Sequence, residues 1–180
     1  LWQVDFNNIY EDKGERDMTE YYETSVNGFK LRKAEEKDAS LILDFIKKIA
    51  TYEKMADAVI ATEEDIYNSV FIKKYCEVLI GELEGKPVGF ALYYFSFSTF
   101  LGKSNLYVED IFFDPEVRGK GLGSAAFSCL AKIAEEHDCG RMEWFCLNWN
   151  EPSIKFYKGM GAIPMSDWTI YRLPKPQVQK

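Results

Sequence analysis

Residues 106–124 read L-Y-V-E-D-I-F-F-D-P-E-V-R-G-K-G-L-G-S. Leu106 to Phe113 is an apolar run rich in β-branched and aromatic residues, which predicts a strand. Two adjacent carboxylates, Glu109 and Asp110, interrupt it. After a short loop comes a turn holding Gly119, Gly121 and Gly123, and then a helical pattern from about Leu122 to His137. Glycine tolerates positive φ and lets a ligand approach the backbone closely. Such a turn can aim several N–H groups inward as an anion nest, and the helix adds unpaired N–H groups and the positive end of its dipole. The stretch therefore predicts a phosphate cradle one loop away from a pair of acids.

The totals bound what surrounds it. A chain of 180 residues with 47% hydrophobic content fits one domain with a real core. The net charge of −7 argues against nucleic-acid binding, which needs a basic footprint. It is compatible with a cationic substrate. Cys76, Cys129, Cys139 and Cys146 show no metal-like or redox spacing and read as reduced, packed thiols. No metal is expected. With no membrane-spanning apolar run and no signal-peptide pattern, the expected location is cytoplasmic, away from membranes.

Outward from the cradle, the order of elements predicts one α/β domain, residues 28–173, with a mixed and mostly antiparallel sheet flanked by helices. Residues 1–27 are an N-terminal extension of no assigned role, and 174–180 a flexible tail. Strands are expected at Phe29–Ala34, Glu77–Leu83, Pro87–Phe97, Leu106–Phe113, Met142–Leu147 and Thr169–Leu173. The second and third join through Glu84-Gly85-Lys86, a hairpin by turn chemistry. Asp38 is the expected N-cap of a helix whose apolar face is Leu41, Ile42, Phe45, Ile46, Ile49 and Ala50. Thr62 to Asp65 resembles a capping box. A last helix, Ser153 to Met160, follows Asn148 to Pro152 and stops at Gly161.

Three readings compete for the glycine turn. Gly121, Gly123 and Ala126 fit a dinucleotide fingerprint, with Glu143 about 20 residues on. However, that fingerprint should follow its strand at once, and here Asp114 to Arg118 intervene. The acid also falls near the start of the next strand rather than its end. A P-loop fails because no Gly-Lys-Ser/Thr closes the turn. The third reading is a pyrophosphate cradle for coenzyme A, and beside all three stands a plain solvated glycine loop.

At this point the residues resemble a family. Arg118-Gly119-Lys120-Gly121-Leu122-Gly123 matches the Arg/Gln-x-x-Gly-x-Gly/Ala signature of the GNAT superfamily of acetyl-CoA-dependent N-acetyltransferases. Y-E-K-M at 52–55, V-G-F-A-L-Y-Y-F at 88–95, L-Y-V-E-D-I-F-F at 106–113 and N-E-P-S-I-K-F-Y at 150–157 look like its diamine (spermidine/spermine or thialysine) branch. The similarity covers about Phe29 to Leu173. It implies acetyl-CoA as co-substrate, a small amine as acceptor and a homodimer.

Acetyl transfer to an amine makes three demands: hold the thioester, deprotonate the amine, protonate the leaving thiolate. Backbone N–H groups of Gly119, Lys120, Gly121, Leu122, Gly123 and Ser124 would meet the pyrophosphate. The resemblance adds backbone contacts from Ile111, Phe112 and Phe113 to the pantetheine arm, one N–H of this strand facing the thioester oxygen. It also adds a second cofactor segment, Asn150, Glu151, Pro152 and Ser153. A lysine-like amine is almost wholly charged at pH 7, so a base is needed. The one histidine, His137, sits at a helix end beside Asp138, where a surface role fits better. Glu109 is the expected base, directly or through a water. Period-2 alternation sends Asp110 to the opposite face unless a bulge intervenes. Tyr157, protonated at neutral pH, is the expected acid.

The resemblance places Tyr52, Glu53, Glu109, Glu143, Trp144, Phe145, Asp167 and Trp168 around the acceptor, and acids with aromatic faces suit a cation. Two departures shift the acceptor away from long polyamines. Ser98-Thr99-Phe100 stands where the polyamine enzymes carry Asp-Pro-Trp, and the loop Pro164 to Trp168 is about two residues shorter. A short diamine or a lysine-like amino acid such as thialysine gains ground. Acetylation of a protein amine, or a non-catalytic acyl-CoA-binding module, are the alternatives. Retention of both Glu109 and Tyr157 speaks against the module, since binding coenzyme A needs neither.

Overall fold

A computed structural model describes residues 21–174. The expectations for residues 1–20 and for most of the tail lie outside the described residues. The chain divides into two compact units, Leu1–Trp144 and Phe145–Lys180.

The first unit is a six-stranded sheet in the order β1 to β6. Its elements are β1 (Tyr21–Glu23), β2 (Phe29–Lys33), α1 (Ala39–Tyr52), α2 (Glu63–Tyr67), β3 (Glu77–Leu83), β4 (Lys86–Ser98), β5 (Lys103–Phe113), α3 (Leu122–Glu136) and β6 (Arg141–Trp144). Neighbours pair antiparallel except β5 and β6, which run parallel with α3 as the crossover. Among the described residues no helix is long and apolar enough to cross a membrane.

Alternation along the strands makes two cores. Leu31, Leu79, Ala91, Tyr93, Leu106 and Val108 face α3, where they meet Leu122, Ala126, Leu130 and Ile133. Val78, Ile80, Phe90, Leu92 and Phe112 face α1 and α2, meeting Ile42, Phe45 and Ile66. Phe45 stacks on Phe90 with ring centroids 5.6 Å apart. Each large apolar side chain so buried stabilises the fold by about 1.5–3 kcal/mol.

The local signals mostly act as the residues dictate. Glu84 and Gly85, at φ 50° and 73°, form the two-residue turn between β3 and β4. Thr62 accepts from the Asp65 N–H, and Asp65 returns a bond from the Thr62 N–H, closing the capping box. All four cysteines are free thiols.

Four expectations need correction. Asp38 stands at the start of α1 but does not cap it. Its carboxylate instead grips the buried Arg32 guanidinium at 2.6 and 3.0 Å and accepts from the Glu35 N–H. Arg32 also donates to Glu82 at 2.7 Å. Burial alone would push Asp38 up, but these donors hold its carboxyl below its ordinary value. β1, inside the expected N-terminal extension, pairs with β2. Thr24 ties that hairpin by donating to the Phe29 carbonyl at 2.7 Å. β6 stops at Trp144, three residues before the expected end. Residues 169–173 carry no strand, and Ile170, Tyr171 and Leu173 are exposed. β propensity expresses packing on a pleated face, and this segment has no strand partner among the described residues.

The second unit holds α4 (Glu151–Gly159). The buried Asn150 caps it by accepting from the Ser153 N–H at 3.4 Å, and Pro152 sits in the first turn.

Candidate active site

The site in the first unit begins with one surplus residue. Leu92 pairs with Asp110 and Tyr93 with Val108, so Glu109 has no partner on β4 and forms a β-bulge. Before it, Leu106 and Val108 face α3. After it, Ile111 and Phe113 face α3 again. The bulge absorbs one step of alternation, so Glu109 and Asp110 both turn to the opposite face.

The bulge also marks where β5 leaves β6. Their parallel pairing ends at Val108 with Trp144. Past that point the β6-side edge of β5, through Ile111, Phe112 and Phe113, has no strand partner among the described residues. An open edge of this kind receives an extended ligand as an added strand. The Phe112 side chain is buried in the α1 core, so this residue can offer a ligand only its backbone.

Beyond Phe113 the chain turns through Pro115–Val117, a single 3₁₀ turn plugged by the buried Val117. Arg118 donates from Nε to the Phe113 carbonyl at 3.1 Å. Its guanidinium lies 4.8 Å from the centre of the Tyr52 ring. Arg118 thus organises the turn and links it to the end of α1. Gly119 and Gly121 follow at φ 77° and 84°. A Cβ on Gly119 would meet nothing within 4 Å, so backbone conformation rather than space requires glycine there. Gly121 is the N-cap of α3, and the first turn of that helix carries no acidic residue. The N–H groups of Leu122, Gly123 and Ser124 have no acceptor within the helix, and the positive end of the dipole is uncompensated. These residues fit the pyrophosphate of coenzyme A.

Electrostatics gather the acids. Burial, then Glu109, then Glu53 raise the Asp110 carboxyl to about 6. Burial also raises Glu53, at the end of α1. Beside them Tyr94 and Tyr107 stack at 4.9 Å. Burial and Glu109 raise the Tyr94 phenol, and burial, Tyr94, Glu109 and Glu143 raise that of Tyr107. Tyr94, Tyr107, Glu109, Asp110, Glu53 and Glu143 therefore share one neighbourhood.

Of the expected acceptor residues, Glu53, Glu109 and Glu143 come together in this unit, while Tyr52, next to Glu53 at the end of α1, sets its ring against Arg118. The Trp144 side chain does not join them. It packs against Phe127 of α3 at 5.0 Å, on the other face. His137 is exposed, 4.5 Å from Phe95, also on the α3 side. In the second unit, Tyr157 is half-buried on α4 with its ring 5.5 Å from Phe156. Phe145, Asp167 and Trp168 are exposed there.

Sequence reasoning undervalued Asp110. The signal for Asp110 was present: apolar residues fall at 106 and 108, then at 111 and 113. The step of three across Glu109 and Asp110 is what a bulge leaves in a period-2 pattern.

A twisted mixed sheet, a glycine turn feeding a helix N-terminus, and a bulged strand with an open edge define an acyl-coenzyme A-dependent transferase. The profile described as Acetyltransferase (GNAT) family matches residues 42–162. The chain belongs to that family, and it is an acetyl-CoA-dependent N-acetyltransferase. It is 34% identical over 154 residues to the thialysine N-epsilon-acetyltransferase of Bos taurus, across 79% of this chain and 90% of that protein. It is 32% identical over 167 residues to the spermidine/spermine N(1)-acetyltransferase-like protein 1 of Homo sapiens, across 87% of this chain and 24% of that protein. An integron cassette protein from the mobile metagenome of V. cholerae superposes with a TM-score of 0.70 at 27% identity, covering 84% of this chain and 96% of that one.

Proposed function

We propose that this enzyme acetylates the primary amine of a small cationic acceptor, a diamine, polyamine or lysine-like amino acid such as thialysine, by direct attack in a ternary complex. The observation that carries this reading is the double event at residue 109. One extra residue turns two acids onto the same face and also opens the strand edge beside them. Acceptor chemistry and donor binding thereby meet on adjacent residues of β5.

Acetyl-CoA supplies the acetyl group as a thioester. Gly119 to Ser124 hold its pyrophosphate through N–H groups, and Ile111 to Phe113 hold the pantetheine arm along the open edge. Asn150 to Ser153 are a second holding segment, by resemblance. Glu109 takes the ammonium proton, directly or through a water. Asp110, raised toward neutrality beside it, shares that charge. Tyr157 gives its phenolic proton to the leaving sulfur. Its support is its position on the helix that Asn150 caps, within the N-E-P-S-I-K-F-Y run. Glu53 and the stacked tyrosines face the acceptor's charge and methylenes. The reading includes a homodimer, which the resemblance supports, and a cytoplasmic location.

The test is an acceptor panel. Acetyl-CoA is incubated with diamines, polyamines, lysine analogues, peptides or no acceptor, and free thiol is followed. Release with small amines is expected. Release with peptides alone would overturn the small-amine reading, and binding of coenzyme A without release would favour a non-catalytic module. Tyr157→Phe is expected to lower kcat by about 10²–10⁴-fold with little change in acetyl-CoA affinity.

A further inference from the structure

The end of α1 is tied to the glycine cradle. It closes in a Schellman turn: the Lys54 N–H donates to the Thr51 carbonyl at 3.1 Å, and the Met55 N–H to the Ala50 carbonyl at 2.8 Å. Lys54 takes the left-handed position, φ 61°, that glycine fills more easily, so these bonds rather than a permissive residue fix the helix end. Lys48 and Tyr52, four residues apart, share one face of the helix. Lys48 Nζ pairs with Asp114 at 2.8 Å, and the Tyr52 ring meets Arg118. Asp114 and Arg118 flank the 3₁₀ turn that leads into the glycines. One helix end therefore grips the entry to the cradle at two points.

Arg118 is exposed, yet much of its guanidinium is already held. Nε is used by the Phe113 carbonyl. The guanidinium lies over two rings, 4.8 Å from the centre of Tyr52 and 5.6 Å from that of Phe112. Phe112 is buried and set against Phe45 of α1, with ring centroids 6.4 Å apart. Among the described residues no carboxylate pairs with Arg118, and its two Nη groups make no hydrogen bond. The end of the fork that can meet two phosphate oxygens is thus open. An unrestrained arginine loses rotamer freedom when it binds an anion, and one already held loses less. The same contact weighs against an acceptor role for Tyr52. A second cation at that ring would meet the Arg118 charge at close range and be repelled.

Resting on the reading of the glycine turn as a pyrophosphate cradle, we infer that Tyr52 is a positioning residue for the donor and not an acceptor contact: its ring, fixed at the end of α1, holds the Arg118 guanidinium in place for the pyrophosphate of acetyl-CoA. The ring does this, not the hydroxyl, so phenylalanine can replace tyrosine and an aliphatic or amide side chain cannot.

The experiment measures calorimetric affinity for coenzyme A and for pantetheine, which lacks the pyrophosphate, in wild type, Tyr52→Phe, Tyr52→Leu, Tyr52→Gln, Arg118→Gln and the double variant Tyr52→Leu/Arg118→Gln. Leucine and glutamine are both good helix formers, so two independent variants remove the ring without disfavouring α1. Each is expected to weaken coenzyme A by about 3- to 10-fold and to leave pantetheine unchanged, while Tyr52→Phe stays within about twofold of wild type. Arg118→Gln is expected to weaken coenzyme A by about 10- to 100-fold, and adding Tyr52→Leu to it is expected to cost nothing more. The acceptor KM at saturating acetyl-CoA is expected to hold in all three Tyr52 variants. Unchanged coenzyme A affinity with a raised acceptor KM would make Tyr52 an acceptor residue and overturn the inference. Equal weakening of pantetheine, or a full Tyr52→Leu effect in the Arg118→Gln background, would mean general damage to the helix end and overturn it as well. Wild type that binds coenzyme A no more tightly than pantetheine would overturn the cradle itself, and the inference with it.

Discussion

The two faces of β5 carry different chemistry. Toward α3 it presents Leu106, Val108, Ile111 and Phe113, all packed in one apolar core. On the reverse it presents Asn105, Tyr107, Glu109 and Asp110 before Phe112 joins the α1 core. Backbone and pairing partner are shared, so the division of labour lies in the side chains and in the one surplus residue between them. The α3 face supplies stability, and the reverse face gives up stability to place charge. Changes on the first should lower melting and leave chemistry, and changes on the second should move chemistry without lowering stability.

The strongest test of that division is Glu109→Gln. It is expected to lower kcat by about 10²–10⁴-fold with the melting temperature nearly unchanged. A large fall in melting temperature would make Glu109 a structural residue. Next is Leu106→Ala on the α3 face, fully buried in wild type. It is expected to cost about 2–5 kcal/mol of stability, measured by denaturant titration, while kcat/KM of the folded protein stays within about twofold.

Asp110→Asn gives a smaller effect with the opposite sign for stability. The folded-state value of about 6 lies above the ordinary 3.8, so folding favours the protonated acid. The folded state therefore loses stability as pH rises from about 4 through 6, by roughly 1–3 kcal/mol. The amide escapes that loss. The variant is expected to be more stable than wild type at pH 7–8 and equal to it below about pH 4. In wild type, kcat/KM is expected to fall on acidification through about pH 6, and Asp110→Asn to lose or shift that limb. Equal stabilities at pH 8 would remove the charge conflict.

Much of this architecture was legible in the residues. The apolar steps of the strands, the Thr62 cap, the Glu84-Gly85 turn and the glycine cradle each follow from local chemistry that tertiary context did not override. What was not legible depended on partners. Whether Asp110 shares a face with Glu109 is set by the register against β4. β6 ends where its pairing with β5 ends, at Trp144 opposite Val108, one residue before the bulge. Asp38 does not cap α1 because Arg32, six residues earlier, competes for its carboxylate with charge as well as hydrogen bonds. The first residues of β5 escaped notice because an Asn beside a predicted strand start reads as loop, and only the pairing of Asn105 with Ser96 and Arg141 extends β5 across it.

By adding one residue, the bulge sets two like charges side by side, so at mildly acidic pH the site carries a proton of its own. A cation arriving there lowers Asp110 back toward its ordinary range, which makes acceptor binding and proton release a single event. In a calorimeter, the binding heat near pH 6 then varies with the ionisation heat of the buffer. At pH 8, where Asp110 is already ionised, that buffer dependence disappears.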